Sequence, residues 1–426
     1  MNKSFNIHTE TKTGYKKTAI GWIPEGWGLK KLGNLISHTK GFAFKSSDFN
    51  SEKGRRIIKV SDTDFDKIND DDPTFITEEK AKEYQKYTLK QNDIIFTTVG
   101  SRPPVFDSLV GKAIQVTNEY EGALLNQNNV LVRVKDKNNV LQNFLYPHFR
   151  TNRYIYFITT IIRGNANQGS ITLKDLFNYR IPLPPLPEQK KIAEILSTWD
   201  HAIETLEQLI EIKEELKRGL MQELLTGNTG FEGEWETKPI KSFSKVITGS
   251  TPSTSEPKYY DGDYLFVSPS DMNETKYVTK TEKTLTKEGF ELGRLVSKGS
   301  TLFVAIGSTI GKTAVAGIDL TTNQQIHAIA TDEEICLNEF FFYQLTRISD
   351  RIKLLAGKQA VPILNKSNFE SLRISFPPIQ EQKKIVTLLA GIENEIETLK
   401  KNQESISYQK KGLMQQLLTG KTRVQA

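Results

Sequence analysis

The chain carries one segment twice, first as PPLPEQKKIAEILSTWDHAIETLEQLIEIKEELKRGLMQELLTG (residues 184–227) and again as PPIQEQKKIVTLLAGIENEIETLKKNQESISYQKKGLMQQLLTG (residues 377–420). The two copies are offset by 193 residues, align without a gap and are identical at 22 of 44 positions. This self-similarity indicates an internal duplication, so we expect each structural unit of the chain to occur twice.

Each copy predicts one long helix. The Pro-Pro pair that opens it excludes a helix immediately upstream and favours a first helical turn. Glu188 and Glu381 stand in that first turn, where a negative charge interacts favourably with the helix dipole. Gly227 and Gly420 stand where the residue after a helix is commonly glycine. A helix of about 40 residues is a rod of roughly 60 Å.

The apolar residues of each copy recur at alternating steps of four and three, the 3.5-residue period that is typical of a coiled coil. The predicted seam positions are Ile192, Leu196, Trp199, Ile203, Leu206, Leu220 and Leu224 in the first copy and Ile385, Leu389, Ile392, Ile396, Leu399, Leu413 and Leu417 in the second. Both seams turn polar after their midpoint. The simplest partner for each helix is the other copy, set antiparallel by a pseudo-two-fold axis; the alternative is that each rod packs on its own domain.

The regions in front of the helices repeat more loosely. Short β-branched and aromatic runs separated by Gly, Asn and Pro predict strands and turns, with a few short helices. The matched motifs are Trp27 and Gly41 with Trp235 and Gly249, DIIFTTVGS with STLFVAIGS, Gly111-Lys112 with Gly311-Lys312, and Asn126-Gln127 with Asn323-Gln324. We therefore predict an α+β protein with a first domain at 1–183, a first helix at 184–227, a second domain at 228–376, and a second helix with a C-terminal tail at 377–426.

Composition and charge narrow the class of protein. The length of 426 residues fits two ordinary domains, and the net charge of +6 is a weak pointer to an anionic partner such as nucleic acid. The single cysteine, Cys336, excludes a disulfide within the chain and a thiolate zinc site. The N-terminal residues lack the apolar run of a signal peptide, and no stretch is apolar enough to span a membrane, so a cytoplasmic protein is expected.

No catalytic constellation is evident. GSTIGKT (residues 307–313) has only three residues between Gly307 and Gly311, too few for a phosphate-binding loop, and a strand-like run follows it. The five histidines lack metal-ligand spacing. Neither a nucleophile elbow nor the Asn/Asp-Pro-Pro-aromatic motif of an adenine methyltransferase is present. The duplication therefore favours binding over catalysis, with neither catalytic nor metal-ligating residues.

The repeated helices resemble the conserved regions of the specificity subunit of type I restriction–modification enzymes. The motifs that carry the resemblance are Glu-Gln-Lys-Lys-Ile at the start of each helix and Gly-Leu-Met-Gln-x-Leu-Leu-Thr-Gly at its end. IGWIPEGW near the N-terminus resembles the entry segment of the family, and TGSTPS, YLFVSPSDM and TTNQQ resemble its target-recognition domain. The first domain departs most, since GFAFKSSDF replaces the Gly-x-x-Pro-Ser pattern.

The resemblance implies a non-catalytic subunit that recognises double-stranded DNA. Each domain would read one half of a split, asymmetric sequence in the major groove, and the helices would set the gap. They would also dock two adenine methyltransferase subunits, with S-adenosylmethionine as cofactor, and restriction subunits using ATP and Mg²⁺ would join. This chain would bind no cofactor itself.

Loop residues able to contact phosphates or base edges are the candidates for DNA binding, because phosphates attract Lys and Arg while base edges are read by Arg, Asn, Gln, Ser and Thr. In the first domain they are Lys40, Lys45, Arg55, Arg56, Lys59, Arg102, Lys112, Arg163, Asn165, Asn167 and Gln168; in the second they are Ser250, Thr251, Ser253, Lys258, Tyr259, Lys312, Asn323, Gln324, Lys358 and Gln359. Exposed or turn-forming side chains with no ligand remain an open interpretation for each.

Two other hypotheses stay open at this point. One is a scaffold whose two domains bind proteins, with DNA incidental. The other is the specificity half of a single-chain enzyme that lacks its catalytic domain, which is disfavoured because Met1 lies just ahead of the entry motif. Neighbouring genes for a methyltransferase and an ATP-driven endonuclease would favour the DNA-reading hypothesis over the scaffold.

Overall fold

A computed structural model describes residues 12–50, 53–65, 67–164, 168–227, 234–272, 275–355 and 362–425. The chain divides into two compact units, Met1–Thr205 with Gln403–Ala426 (unit 1) and Leu206–Asn402 (unit 2). Below, domain 1 means residues 1–183 and domain 2 means residues 228–376. Each unit contains one domain and one half of each long helix.

Unit 1 is built from short strands and helices. The strands are β1 (Tyr15–Thr18), β2 (Gly21–Pro24), β3 (Gly28–Lys31), β4 (Ile36–Lys40), β5 (Phe49–Asn50), β6 (Arg55–Ile58), β7 (Thr74–Ile76), β8 (Ile94–Thr97), β9 (Val99–Gly100), β10 (Ala113–Gln115), β11 (Leu124–Leu125), β12 (Asn129–Val134), β13 (Gly169–Ser170) and β14 (Arg180–Leu183). The helices are α1 (Leu32–Leu35), α2 (Glu78–Ala81), α3 (Gln142–Leu145), α4 (Asn152–Ile161), α5 (Leu173–Leu176) and the first half of α6 (Leu186–Leu224).

Unit 2 repeats this plan. Its strands are β15 (Glu236–Pro239), β16 (Ser244–Thr248), β17 (Tyr260–Val267), β18 (Tyr277–Val278), β19 (Lys283–Leu285), β20 (Thr301–Val304), β21 (Thr313–Ala316), β22 (Thr321–Thr322), β23 (Ile326–Thr331) and β24 (Arg373–Phe376). Its helices are the second half of α6, then α7 (Lys287–Leu292), α8 (Asn338–Leu355), α9 (Lys366–Ser371) and the first half of α10 (Ile379–Thr419), whose second half belongs to unit 1.

The sheets of the two domains have the same strand order. Domain 1 has a sheet ordered β4-β12-β8-β10, and domain 2 has the matching order β16-β23-β20-β21, extended by β18. In each domain a strand of the second sheet, β6 or β17, pairs in parallel with a two-residue strand, β11 or β22. Apolar side chains from these sheets and from α4 or α8 form the cores. The predicted fold class, two repeated α+β domains with two long helices, is confirmed.

A buried glutamine connects the start of each long helix to its domain. The Gln189 amide accepts a hydrogen bond from Leu141 N at 3.0 Å and donates to Asn139 O and Pro184 O, both at 2.9 Å. Gln382 is likewise fully buried and makes the same three bonds in unit 2, to Leu337 N, Ile335 O and Pro377 O. Since a buried amide without partners destabilises a fold, these glutamines explain why Glu-Gln-Lys-Lys occurs in both copies.

In unit 1 the first half of α6 runs antiparallel to the second half of α10. Ile192 and Leu196 lie in one buried cluster with Met414 and Leu417. Lys410 lies seven residues before the seam residue Leu417, where the 3.5-residue period places it on the same seam, and it makes an ion pair with Asp200 of the facing helix. The position at which the seam turns polar is therefore a position of charge pairing between the helices.

In unit 2 the other two halves pair in the same way. Ile210, Ile392 and Ile396 form a small apolar cluster, and the Lys217 ammonium lies 2.6 Å from the Glu393 carboxylate. This ion pair is the repeat of the one in unit 1, because adding 193 to Lys217 gives Lys410 and adding 193 to Asp200 gives Glu393. All fourteen predicted seam residues are buried or half-buried.

The tail that follows α10 packs on domain 1. The Arg423 guanidinium contacts the Glu188 carboxylate at 2.6 and 2.9 Å, and Glu188 also accepts a hydrogen bond of 2.9 Å from the Trp27 indole. The Tyr15 hydroxyl donates to Gly420 O at 2.9 Å. The first-turn glutamate of α6 is therefore buried and held by hydrogen bonds, in addition to its favourable position in the helix dipole.

Candidate nucleic-acid interface

A glycine directly follows one strand in each domain, Gly41 after β4 and Gly249 after β16, and it allows two loops to come into close contact there. A Cβ added at Gly41 would lie 1.9 Å from Asn126 O, and one added at Gly249 would lie 2.1 Å from Asn323 O. Any larger residue would force the two loops apart. The loop after β4 and the loop before β12 therefore touch in domain 1, and the loops at β16 and β23 do so in domain 2.

Backbone hydrogen bonds at this edge repeat between the domains. Asn126 N donates to Ile58 O at 3.0 Å, and Asn323 N donates to Val267 O at 2.9 Å. These bonds bring the end of the second sheet, β6 or β17, to the same place. Residues directly after those strands, such as Lys59, therefore lie next to the loop that contains Asn126 or, in domain 2, Asn323.

A third loop completes the edge. Ile171 N donates to Thr98 O at 3.0 Å in domain 1, and Leu364 N donates to Ala305 O at 2.9 Å in domain 2. The segment that precedes each long helix is thereby joined to the chain that leaves β8 or β20. This chain leads into what we call the Gly-Ser loop, residues 100–112 in domain 1 and residues 307–312 in domain 2. We call this set of converging loops, around Gly41, Asn126 and Thr98 or around Gly249, Asn323 and Ala305, the loop edge of each domain.

Polar side chains are presented at both loop edges. Gln127 and Asn128 are exposed in domain 1, and Thr251 and Gln324 are exposed and hydrogen-bonded to each other in domain 2. Amide and hydroxyl groups are the ones that read base edges. A fixed backbone with variable polar side chains is suited to recognition of two different sequences.

Several predicted cations of domain 1 are engaged in ion pairs. Arg55 lies 2.7 Å from Glu78 at the beginning of β6, away from the loop edge. The remaining pairs are Arg56 with Asp62 and Asp70, both at 3.1 Å, Lys59 with Asp62 and Asp72, both at 3.5 Å, and Arg163 with Asp175 at 2.6 Å. Lys40, Lys45 and Gln168 are exposed, and neither lysine forms an ion pair among the described residues.

Lys112 has a structural position that its sequence motif does not reveal. Only 2% of the residue is exposed, and its ammonium donates to Thr63 O and Asp107 O. Burial lowers the pKa of Lys112 to about 8. An ammonium in this position holds two loops together and is not exposed to a ligand. Arg102 is also engaged, since it donates to Gly164 O at 2.6 Å.

The candidates of domain 2 fall into two groups. Ser250, Thr251, Asn323 and Gln324 lie at the loop edge, whereas Lys258 and Tyr259 precede β17 at its opposite end. Lys258 there pairs with Glu288 at 3.0 Å. Ser253 is exposed, and Lys312 follows Gly311 and is half-buried. Asn165, Asn167, Lys358 and Gln359 lie outside the described residues.

Sequence patterns missed three exposed residues near the loop edges. Arg294 is exposed and donates to Thr248 O at 2.7 Å, next to Gly249. Val105 and Phe106 are 53% and 41% exposed in the longer Gly-Ser loop of domain 1. The extra length of that loop was the available signal for the apolar pair, while no local motif marks Arg294.

The described ranges also bear on metal binding and on the buried histidine and cysteine. They contain no group of three or more His, Cys, Asp or Glu residues able to hold a metal ion. His327 is buried between Thr248 and Leu364 O, and desolvation lowers its pKa. Burial likewise raises the pKa of the Cys336 thiol, as expected of a core residue. Within the same ranges no helix has the length and apolar character needed to cross a membrane.

The fold and the repeated loop edge define a duplicated recognition protein, and comparison with known families is consistent with that class. The model of the type I restriction modification DNA specificity domain matches residues 24–217 and again residues 232–407. The chain therefore belongs to the specificity subunits of type I restriction–modification systems, with two target-recognition domains.

Individual relatives span nearly the whole chain. The putative MjaX specificity subunit of a type I restriction enzyme from Methanocaldococcus jannaschii is 30% identical, over 96% of this chain and 97% of the relative. The EcoBI specificity subunit from Escherichia coli is 24% identical, over 90% of this chain and 82% of the relative. The crystal structure of the S subunit from M. genitalium has the same fold, with a TM-score of 0.58 at 16% identity, covering 92% of this chain and 96% of that one.

Proposed function

We propose that each domain of this specificity subunit reads one half of a bipartite, asymmetric DNA sequence through the major groove. The observation that carries the proposal is the repeated loop edge, in which the backbone hydrogen bonds are the same while several side chains differ, such as Phe106 in domain 1 and Thr251 in domain 2. A constant backbone places each set of loops in the same way, and different side chains then select different bases.

The paired halves of α6 and α10 are proposed to set the gap between the two half-sites. Charged and apolar pairs occur in both units, so each helix half has a fixed partner. Half-sites read from one face of B-DNA are separated by about one helical turn, roughly 34 Å. Rods of this length can span that separation.

The same helices are proposed to dock two adenine methyltransferase subunits, whose cofactor is S-adenosylmethionine. Restriction subunits that use ATP and Mg²⁺ would complete the assembly, in the cytoplasm with the DNA. This chain selects the site without reacting and binds no cofactor itself. The support is family membership together with the two-fold repetition of the helices.

Genome-wide mapping of methylated adenines tests the proposal. The chain is co-expressed with its methyltransferase in a host that lacks adenine methylation, and modified positions are located by sequencing. We expect a single motif of two short specific halves separated by a fixed unspecified gap. Methylation without such a motif would favour a protein-binding scaffold. A complete lack of methylation, in the presence of a methyltransferase shown to bind the chain, would favour it as well.

The gap can be tested separately from the reading. Deleting four residues of α6 near Ile210 shortens the rod by about 6 Å. We expect the mapped gap to change while both half-site sequences remain. A change in the half-sites at constant gap would contradict the proposed role of the helices.

A further inference from the structure

The Gly-Ser loop differs in length between the two domains. Thirteen residues run from Gly100 to Lys112 in domain 1, whereas six run from Gly307 to Lys312 in domain 2. The flanking backbone is the same, since Gly111 N donates to Thr97 O and Gly311 N donates to Val304 O, both at 2.9 Å. Domain 1 thus carries an insertion on a common base at its loop edge.

The insertion has a defined structure. Ser101 N donates to Ser108 O at 2.7 Å, and the hydroxyls of these two serines share a hydrogen bond of 2.6 Å. The Lys112 ammonium donates to Asp107 O, and the Arg102 guanidinium donates to Gly164 O on the neighbouring loop. The insertion is therefore held at its base and along one side.

The tip of the insertion presents apolar side chains to solvent. Val105 is 53% exposed and Phe106 is 41% exposed. The Phe106 ring packs edge-on against Phe65 at 6.1 Å between centroids, and the Arg150 guanidinium lies 4.2 Å from the Phe65 ring centroid on its face. The Phe106 ring is thereby held in place, so little conformational entropy is lost if a ligand contacts this ring.

We propose that Val105 and Phe106 contact thymine methyl groups in the half-site read by domain 1. This inference rests on the proposed function. The C5-methyl of thymine is the apolar group that base pairs display in the major groove, and Phe is among the residues that contact it. Gln127 and Asn128 are exposed on the loop that joins the same edge, where Thr98 N donates to Asn128 O at 2.8 Å. Their amides suit base edges, which favours DNA over a protein partner for so small an apolar tip.

Deoxyuridine substitution tests the contact, because it removes only the methyl group. The full chain in complex with its methyltransferase is titrated against a duplex that carries the mapped bipartite site. Each thymine of the domain 1 half is replaced in turn by deoxyuridine on either strand. We expect about three- to five-fold weaker binding at one or two positions, the effect of removing one buried methyl group.

The double variant Val105→Ser/Phe106→Ser should bind thymine and deoxyuridine duplexes equally. Neither side chain belongs to a buried core cluster of the described residues, so the variant is expected to fold, and Val105→Ile/Phe106→Leu should retain the discrimination. Ile318→Ser is the matched control, since Ile318 is 46% exposed but belongs to domain 2. That control should keep the deoxyuridine effect in the domain 1 half unchanged.

Several results would overturn the inference while leaving the proposed function intact. They are a domain 1 half-site without thymine, no deoxyuridine effect in the wild type, or an effect that persists in the double serine variant. If that variant bound specific and non-specific DNA more weakly by the same factor, Val105 and Phe106 would instead insert between bases without sequence preference or contact another subunit. Failure to find any bipartite site would remove the proposed function itself.

Discussion

Domain 1 and domain 2 have the same backbone contacts at their loop edges but carry different side chains on them. Gly41 and Gly249 make the same close approach to an asparagine carbonyl. In domain 1 a longer loop ends in Val105 and Phe106, while in domain 2 Thr251 and Gln324 bond to each other. The duplication has therefore kept the contacts that place the loops, and it has kept Gln127 and Gln324 as matched residues, but it has changed other side chains at the loop edge.

The helix contacts show a second difference between the two units. Glu188 is buried with Trp27 and Arg423 as partners, whereas Oε2 of the equivalent Glu381 is buried without a hydrogen-bond partner among the described residues. Conversely, Glu393 is held by Lys217, Tyr343 and Lys276, while the equivalent Asp200 is 62% exposed. Equivalent residues thus differ in their contribution to the free energy of unfolding. Substituting both members of an equivalent pair measures this difference.

The largest effect is expected from Gln189→Leu and Gln382→Leu. Each change leaves one backbone N–H and two carbonyls unpaired at a buried helix start, so each should lower the free energy of unfolding by about 3 kcal/mol. Urea unfolding of the two variants measures this. Gln208→Leu, at an exposed position of α6, should cost less than about 0.5 kcal/mol. A large difference between the first two would show that the helix starts are not equivalent.

Gly41→Ala and Gly249→Ala should come next. The new Cβ collides with a carbonyl oxygen and displaces the loop edge, so we expect a loss of about 2 kcal/mol in stability. Each variant should also weaken binding at its own half-site at least about ten-fold. Duplexes altered in one half at a time separate the two effects. Gly26→Ala is the control, because a Cβ there meets nothing within 4 Å.

Lys217→Met and Lys410→Met should differ although the residues are equivalent. Lys217 pairs with Glu393, whose side chain is 17% exposed, so its loss should cost about 2 kcal/mol. Lys410 pairs with the exposed Asp200, so its loss should cost less than about 0.5 kcal/mol. Equal losses in urea unfolding would contradict this account of the helix pairing.

The Lys217 effect should also depend on pH. Burial alone would raise the pKa of Glu393, but hydrogen bonds from Lys217 and Tyr343 and the charges of Lys217 and Lys276 outweigh it and lower this pKa from its ordinary value. A carboxyl group with a lowered pKa stabilises the fold above its unfolded pKa, and this contribution is lost as pH falls through the folded value. The difference in stability between wild type and Lys217→Met should therefore shrink as pH falls through the lowered pKa of Glu393.

The smallest effect is expected from Lys40→Gln, with Lys112→Met as its comparison. Lys40 is a proposed phosphate contact, and losing one such contact should weaken binding several-fold at all sequences and reduce the slope of log K against log salt by about 1. Lys112→Met should leave that slope unchanged, because the ammonium is buried between two loops. A reduced slope for Lys112→Met would restore Lys112 as a phosphate contact.

Much of the architecture could be predicted from sequence. The 193-residue period, the Pro-Pro and Gly boundaries and the 3.5-residue seam are local patterns, and together they specify two long helices and two similar domains. The matched Gly and Asn positions served in the sequence only to align the two domains, and their close backbone approach became visible in the structure. Resemblance to the family added the function.

The tertiary structure decided which charged side chains are available. Sequence presents Arg55, Lys59 and Lys112 as similar loop cations, yet one pairs with Glu78, one with Asp62, and the third is buried. Those partners come from distant parts of the chain, and no local pattern encodes them. Burial of Gln189 and exposure of Phe106 depend on the same long-range packing. Sequence by itself therefore determined the repeat and its periodicity, whereas only the folded chain decided which polar groups are paired inside it.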